Sequence, residues 1–177
     1  SELRTLLSSE LPGTTPEDVI DSWLARETES VPTASQRLLE TCADGRIKLF
    51  VTLLGLHARR HCGELFATGE YLPLETTGRF ADCVVAFARR HGDQCAIIVA
   101  PRLTVKVAGF GGPPAIGDLW QDTAIRLPDT LDTRPFRELF TRRTWPSLTT
   151  DDVGSGCFPV AEALHSFPLG LWWTTQP

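Results

Sequence analysis

Methionine is missing from all 177 residues, position 1 included, which suits either removal of an initiator ahead of Ser1 or excision from a longer chain. Surplus positive charge is missing as well. Lys and Arg number 17 against 22 Asp and Glu, a net charge of −5. That balance argues against a nucleic-acid binder, which normally carries a basic patch. The arginines that do cluster, Arg89–Arg90 and Arg142–Arg143, sit among acidic and apolar neighbours and read as solvated turns. Paired cysteine spacing is absent too: Cys42, Cys62, Cys83, Cys95 and Cys157 are odd in number and form no C-x-x-C. Cys83 and Cys95 open apolar, strand-like runs, where a thiol acts as a small hydrophobe. A reduced, cytoplasmic compartment is therefore expected. No secretory signal and no apolar run of membrane-spanning length is found, so a membrane partner is not expected.

The familiar chemical motifs are also lacking. The run Gly109-Phe110-Gly111-Gly112-Pro113-Pro114 is rich in glycine but has neither the G-x-x-x-x-G-K-[ST] nor the G-x-G-x-x-G spacing, and reads as a loop. His57 and His61 share a helix face, with Cys62 beside them, but no third ligand and no H-E-x-x-H glutamate accompanies them. With Arg59 and Arg60 they suit the negative end of a helix dipole, and no metal is expected. Asp118 with Asp122, and Asp151 with Asp152, lie near Gly, Pro or Thr and read as turn acids rather than an acid–base pair. No G-x-S-x-G elbow is present. No catalytic residue and no cofactor is assigned.

What is present is 42% hydrophobic content, enough to bury a core in one or two domains. Leu3, Leu6 and Leu7 have helical spacing between Glu2 and Ser9. Thr15-Pro16-Glu17-Asp18 starts a second helix that runs to about Glu29. A third is expected from about Ala34 to Ala43, with Gly45 as its cap. The stretch from Asp44 to Glu75 then organises the chain. Ile47, Phe50, Val51 and Leu54 recur at helical spacing, and Leu49, Leu53 and Leu56 form a second row beside them. Only the stripe Lys48, Thr52, Gly55 and Arg59 is less apolar. A helix so apolar around its circumference needs burial on two sides.

Beyond it the period falls from 3.6 to 2. A strand begins at Tyr71, Leu72 and Leu74, with Pro73 marking an edge. Cys83–Ala88 and Cys95–Ala100 read as a hairpin around a loop from Arg89 to Gln94. Further strands are expected at Leu103–Val107, Ala124–Pro128, Phe136–Thr141 and Phe167–Trp173. Polar loops are expected at Thr149–Ser155 and a short helix at Pro159–His165. Helices followed by short strands predict an α+β chain: a helical segment over 1–69 and an antiparallel β-sandwich over 70–177.

Several pieces together carry a family resemblance. G-R-I-K-L, then L-L-x-L-x-x-R-R, then E-L-F-x-x-G-x-Y-x-P-L resemble the end of the catalytic barrel in maltooligosyl trehalose synthases of the α-amylase superfamily. V-x-A-F-A-R-R, I-V-A-P-R-L, W-x-D-T-x-x-x-L-P, the L-x-T step at Leu139–Thr141 and S-F-P-L continue the resemblance to about Trp173. Gly63 stands where the family has proline, and Arg142 where a glycine is expected. The resemblance implies that the central helix is the last helix of a (β/α)8 barrel and that a C-terminal β domain follows. It also implies a substrate, a maltooligosaccharide or glycogen-derived glucan, whose reducing-end α-1,4 bond becomes an α,α-1,1 bond. Such chemistry needs two carboxyl groups about 5–5.5 Å apart. In the superfamily these sit on barrel strands upstream of the part seen here, so the chain is expected to be non-catalytic, with the barrel as its partner.

Loops after barrel strands line active sites, so Asp44, Arg46 and Lys48 at the start of the central helix are candidates to touch sugar hydroxyls. The competing reading is a helix cap plus a solvated stripe. Trp120, Trp145, Trp172 and Trp173 are candidates for stacking on pyranose rings or for filling the β core, and the core is favoured. A stand-alone carbohydrate-binding or protein-interaction module is the alternative to an enzyme fragment.

Overall fold

The computed structural model describes residues 31–128, 131, 135–145 and 156–174. The helices expected before Val31 and the loop at Thr149–Ser155 lie outside these residues. By its internal contacts the chain divides into two compact units, Ser1–Gly63 and Glu64–Pro177.

In the first unit, helix α1 spans Val31–Glu40, three residues ahead of the expected start. Pro32 falls in its first turn, where the lost N–H has no intrahelical partner to miss. Thr41 ends it, its N–H and hydroxyl both donating to Arg37 O at 3.1 and 2.9 Å. A 3₁₀ turn over Cys42–Asp44 follows. Gly45, at φ +81°, caps that turn and opens α2 (Arg46–His61). A left-handed residue here matches the cap role expected of glycine. Helix α2 buries Leu54 and Ala58. The expected polar stripe is open: Lys48, Thr52 and Arg59 are exposed. The second apolar row is open at its two ends, with Leu49 at 42% and Leu56 at 56% exposure, and half-buried at Leu53 between them.

The second unit takes in α3 (Gly63–Ala67) from its second residue, and Leu65 of this helix is buried. It leads to Gly69, where a Cβ would collide with Leu65 O and sit 2.9 Å from Arg90 O. That close approach of three backbone segments explains the glycine of the G-x-Y link. Among the described residues nine strands follow. A six-stranded antiparallel sheet has the order β1-β3-β4-β9-β6-β7, formed by β1 (Glu70–Pro73), β3 (Val84–His91), β4 (Gln94–Pro101), β6 (Phe136–Glu138), β7 (Thr144–Trp145) and β9 (Gly170–Thr174). A second sheet has the order β2-β5-β8, from β2 (Thr76–Thr77), β5 (Ala124–Arg126) and β8 (Cys157–Pro159). β1 is an edge strand, as its proline requires. One core draws on both sheets. Val84, Ala86 and Ala88 alternate inward from β3 and Cys95, Ile97 and Val99 from β4. Trp172, Ile125 and Phe158 join them. The mixed helices and antiparallel sheets make the chain α+β.

Three expectations are corrected. Leu103–Val107 is not a strand. Leu103 turns to φ +50° and Thr104 is helical, so the N–H groups of Val107 and Ala108 close onto Thr104 O at 3.0 and 2.9 Å. The result is the short helix α4 (Val105–Ala108), of which only Val107 packs on the core. The hairpin loop is shorter than expected. Arg89, Arg90 and His91 belong to β3 and Gln94 to β4, leaving Gly92-Asp93 as the turn. Arg89 and Arg90 are therefore not solvated turn residues. Arg89 donates to Phe66 O at 2.8 Å, fastening α3, and Arg90 pairs with Glu70 across β1 at 2.7 Å. Finally, the strand from Phe136 ends at Glu138, and Leu139–Thr141 turns toward β7. The short helix expected at Pro159–His165 is present as α5 (Val160–Ala163).

Candidate functional site

The start of α2 is built from its own cap. Asp44 Oδ1 accepts the backbone N–H of Arg46 at 2.9 Å, satisfying one of the amides a helix leaves open at its start. Its other oxygen holds Arg46 Nε at 2.7 Å, and Arg46 Nη2 donates to Thr41 Oγ1 at 3.3 Å. The backbone and guanidinium donors of Arg46 hold the Asp44 carboxyl below the usual range. Asp44 and Arg46 are thus brought together as a surface ion pair that locks the turn into α2. Lys48 stands exposed two residues on, around the far side of the helix. The arrangement offers a fixed guanidinium edge and a free ammonium, both able to donate to hydroxyls. It also fulfils the helix-cap reading, since the same contacts are local.

Trp120 and Trp172 fill the core, and Trp145 packs against it. Trp120 is fully buried, its Nε1 donating to Ala115 O at 2.9 Å. Trp172 stands edge-on to Phe158 at 5.3 Å, and Trp145 lies 4.7 Å from the same ring. Trp173, on the opposite face of β9, is half-buried. A row of open indole faces, as a glucan platform needs, is not formed by Trp120 and Trp172.

Among the described residues no group of three His, Cys, Asp or Glu is placed to hold a metal ion. His57 is driven toward its neutral form by burial and then by Arg60, whereas burial raises the Cys62 thiol. Asp122 Oδ1 accepts the backbone N–H of Arg79 at 3.0 Å, a turn role, and Asp118 is exposed. Asp151 and Asp152 lie outside the described residues. None of the five cysteines is in a disulfide, and Cys83 and Cys95 are buried as small hydrophobes. No described helix is long and apolar enough to cross a membrane.

One notable group was missed at the level of sequence. Glu138 is buried at the end of β6, opposite Trp172. Oε2 accepts the backbone N–H and hydroxyl of Thr141, the latter at 2.7 Å, and Oε1 accepts Leu171 N–H at 3.2 Å. Burial outweighs these donors and pushes its pKa up to about 7. The signal was available in the period of 2, which puts Glu138 on the same side as Phe136. Both oxygens are spent on holding the β6 turn against β9, so the group serves the fold.

No family model matches the chain. Proteins from two strains of Mycobacterium tuberculosis, described as maltooligosyl trehalose synthases, are each 31% identical over 124 residues, which is 70% of this chain and 13% of theirs. A solved structure of a mutant maltooligosyltrehalose synthase from Arthrobacter ramosus superposes with a TM-score of 0.51 at 26% identity, covering 84% of this chain and 18% of that one. The chain therefore spans only 13% of the length of the curated relatives it matches.

Proposed function

We propose that this chain, homologous to one part of maltooligosyl trehalose synthase, is the non-catalytic C-terminal portion of such an enzyme. The observation that carries this reading is the partial match, confined to 13% of the curated relatives and 18% of the solved structure. Residues 1–69 then close the catalytic-barrel region, with α2 as its last helix, and 70–177 form a β-sandwich that braces it. Two features support this division. Every strand pairing described is antiparallel, whereas a (β/α)8 barrel is built from parallel strands. The open apolar row of α2, Leu49 and Leu56, is suited to burial against a body outside these residues.

The whole enzyme would carry out an intramolecular transglucosylation, turning the reducing-end α-1,4 bond of a maltooligosaccharide into an α,α-1,1 bond without a cofactor, in the cytoplasm. Its two carboxyl groups belong to the barrel. Arg46, held by Asp44, and Lys48 contribute hydroxyl-binding donors to the rim of the glucan pocket. The test joins size to activity. Antibody raised against this chain should detect a native polypeptide several times heavier than 19.5 kDa. That polypeptide should convert maltohexaose, and the purified 177-residue chain should not. Turnover by the isolated chain, or a native band at 19.5 kDa, defeats the proposal.

A further inference from the structure

We infer that the outer face of the six-stranded sheet is the surface on which the catalytic body of the same polypeptide seats, an inference that rests on the enzyme-part reading above. An antiparallel sheet with one face in water alternates apolar-in with polar-out. The central strands of this sheet do not. Inward, Val84, Ala86 and Ala88 of β3, Ile97 and Val99 of β4 and Trp172 of β9 belong to the shared core. The alternate positions, which face outward, are Val85 and Phe87, then Ala96, Ile98 and Ala100, then Leu171 and Trp173. Arg89 is the exception on β3, and it is the residue that fastens α3.

Strand register makes these residues one patch. Phe87 stands directly opposite Ile98, and Ile98 opposite Leu171. Side chains paired in this way have Cβ atoms about 5 Å apart. Tyr71 of β1 closes onto Phe87, with 5.0 Å between ring centroids. Val85 is 41% and Tyr71 53% exposed, while Phe87, Ile98, Leu171 and Trp173 are half-buried. Past Trp173 the face turns polar, with Arg137 of β6 and then Thr144 of β7 next in register. An apolar centre with a polar margin is the anatomy of a protein interface.

The occupant follows from the part of the face that is already covered. Ala96 is fully buried although it lies outside the shared core, and Arg89 stands directly opposite it. On this same face Arg89 reaches α3, donating to Phe66 O at 2.8 Å and to Leu65 O at 3.4 Å. Leu65 is buried, and Gly69 brings the backbone after α3 against Arg90 O. The polypeptide therefore enters the β unit over its outer face, and the open patch continues from the ground that α3 holds. In the enzyme-part reading the catalytic body precedes the β domain, so its own connection delivers it to this side. A contact between parts of one polypeptide needs less surface than one between free proteins, because the parts are already held together.

The test places the photo-reactive residue p-benzoylphenylalanine at position 85 of the native polypeptide and maps the cross-linked peptides by mass spectrometry. The expected partner is a peptide of the catalytic body, outside these 177 residues. Absence of any protein adduct, a link to a second copy of this chain, or a link only to residues 1–63 overturns the inference. If the polypeptide still converts maltohexaose in that case, the enzyme-part reading stands and the seating face alone falls. A native polypeptide of 19.5 kDa with no catalytic body attached sinks both. A second variant guards the result. Val85→Asp puts an unpaired charge into the contact, so it should lower the Tm of the native polypeptide by several degrees. The isolated chain, where position 85 meets water, should keep its Tm. Equal effects on both would count against the seating role.

Discussion

Glu138 shows how a single buried carboxyl couples the fold to pH. Its folded pKa is about 7, against an ordinary value of 4.5, because desolvation outweighs the donors from Thr141, Leu171 and Phe140. A proton is therefore held more tightly in the folded chain than in the unfolded one. The stabilisation this provides is complete below about pH 4.5 and is lost as pH rises through 7. A shift of this size corresponds to about 3 kcal/mol over that window. Replacing the group by glutamine removes the titration and keeps the shape. Urea midpoints at pH 5 and pH 8 should differ in the parent chain, with pH 8 lower. In Glu138→Gln that difference should shrink by most of this amount. An unchanged pH slope would show that Glu138 is ionised in the fold throughout. The comparison of slopes is the diagnostic, because one amide oxygen cannot accept all the donors now shared between two carboxylate oxygens.

At the scale of the element, the reversal after β6 links sequence and structure most directly. The family resemblance expects glycine after Thr141, and the structure puts Arg142 there at φ +60°. The turn keeps its left-handed shape, closed by Arg142 N–H to Glu138 O at 3.0 Å and Glu138 N–H to Arg143 O at 2.8 Å. The non-glycine residue bears the steric cost. Arg142→Gly should therefore be more stable than Arg142→Ala by about 1 kcal/mol, measured by chemical denaturation of both. Comparing these two variants cancels the loss of the arginine side chain, and equal stabilities would contradict the strain argument. Much of the remaining architecture was legible for equally local reasons. The apolar period marked α2, Gly45 marked the cap of the helical segment before it, Pro73 marked the edge strand, and alternation marked β3 and β4. Leu103–Val107 was not legible, because two valines two apart fit a strand and a single helical turn alike. Only the hydrogen bonds to Thr104 O decide between them. The candidate site was legible only as chemistry. The types Asp44, Arg46 and Lys48 suggested donors at a helix start, but the binding of Arg46 by Asp44 and Thr41 required coordinates.

At the scale of the molecule, the question is whether the chain recognises glucan by itself. Recognition of a sugar chain in water needs open aromatic faces flanked by hydrogen-bonding groups. The chain keeps its largest aromatics elsewhere. Trp172 is 1% exposed, at the centre of a core shared by both sheets, and Trp120 is tied to Ala115. Phe110 is open, but it stands in a run of glycine and proline that carries no side-chain donor or acceptor. The start of α2 supplies an exposed ammonium and an engaged guanidinium. Two donors of this kind gain little against water, since each exchanges one hydrogen bond for another. The isolated chain is therefore expected to show no saturable change in tryptophan emission when maltohexaose is added up to about 1 mM, which corresponds to a binding energy of only about 4 kcal/mol. Calorimetry at the same concentrations should register dilution heat alone. A saturable emission shift would move Trp173, the half-buried indole on the outer face of β9, from packing to recognition. It would also make the chain a glucan-binding module in its own right, whatever larger polypeptide it came from.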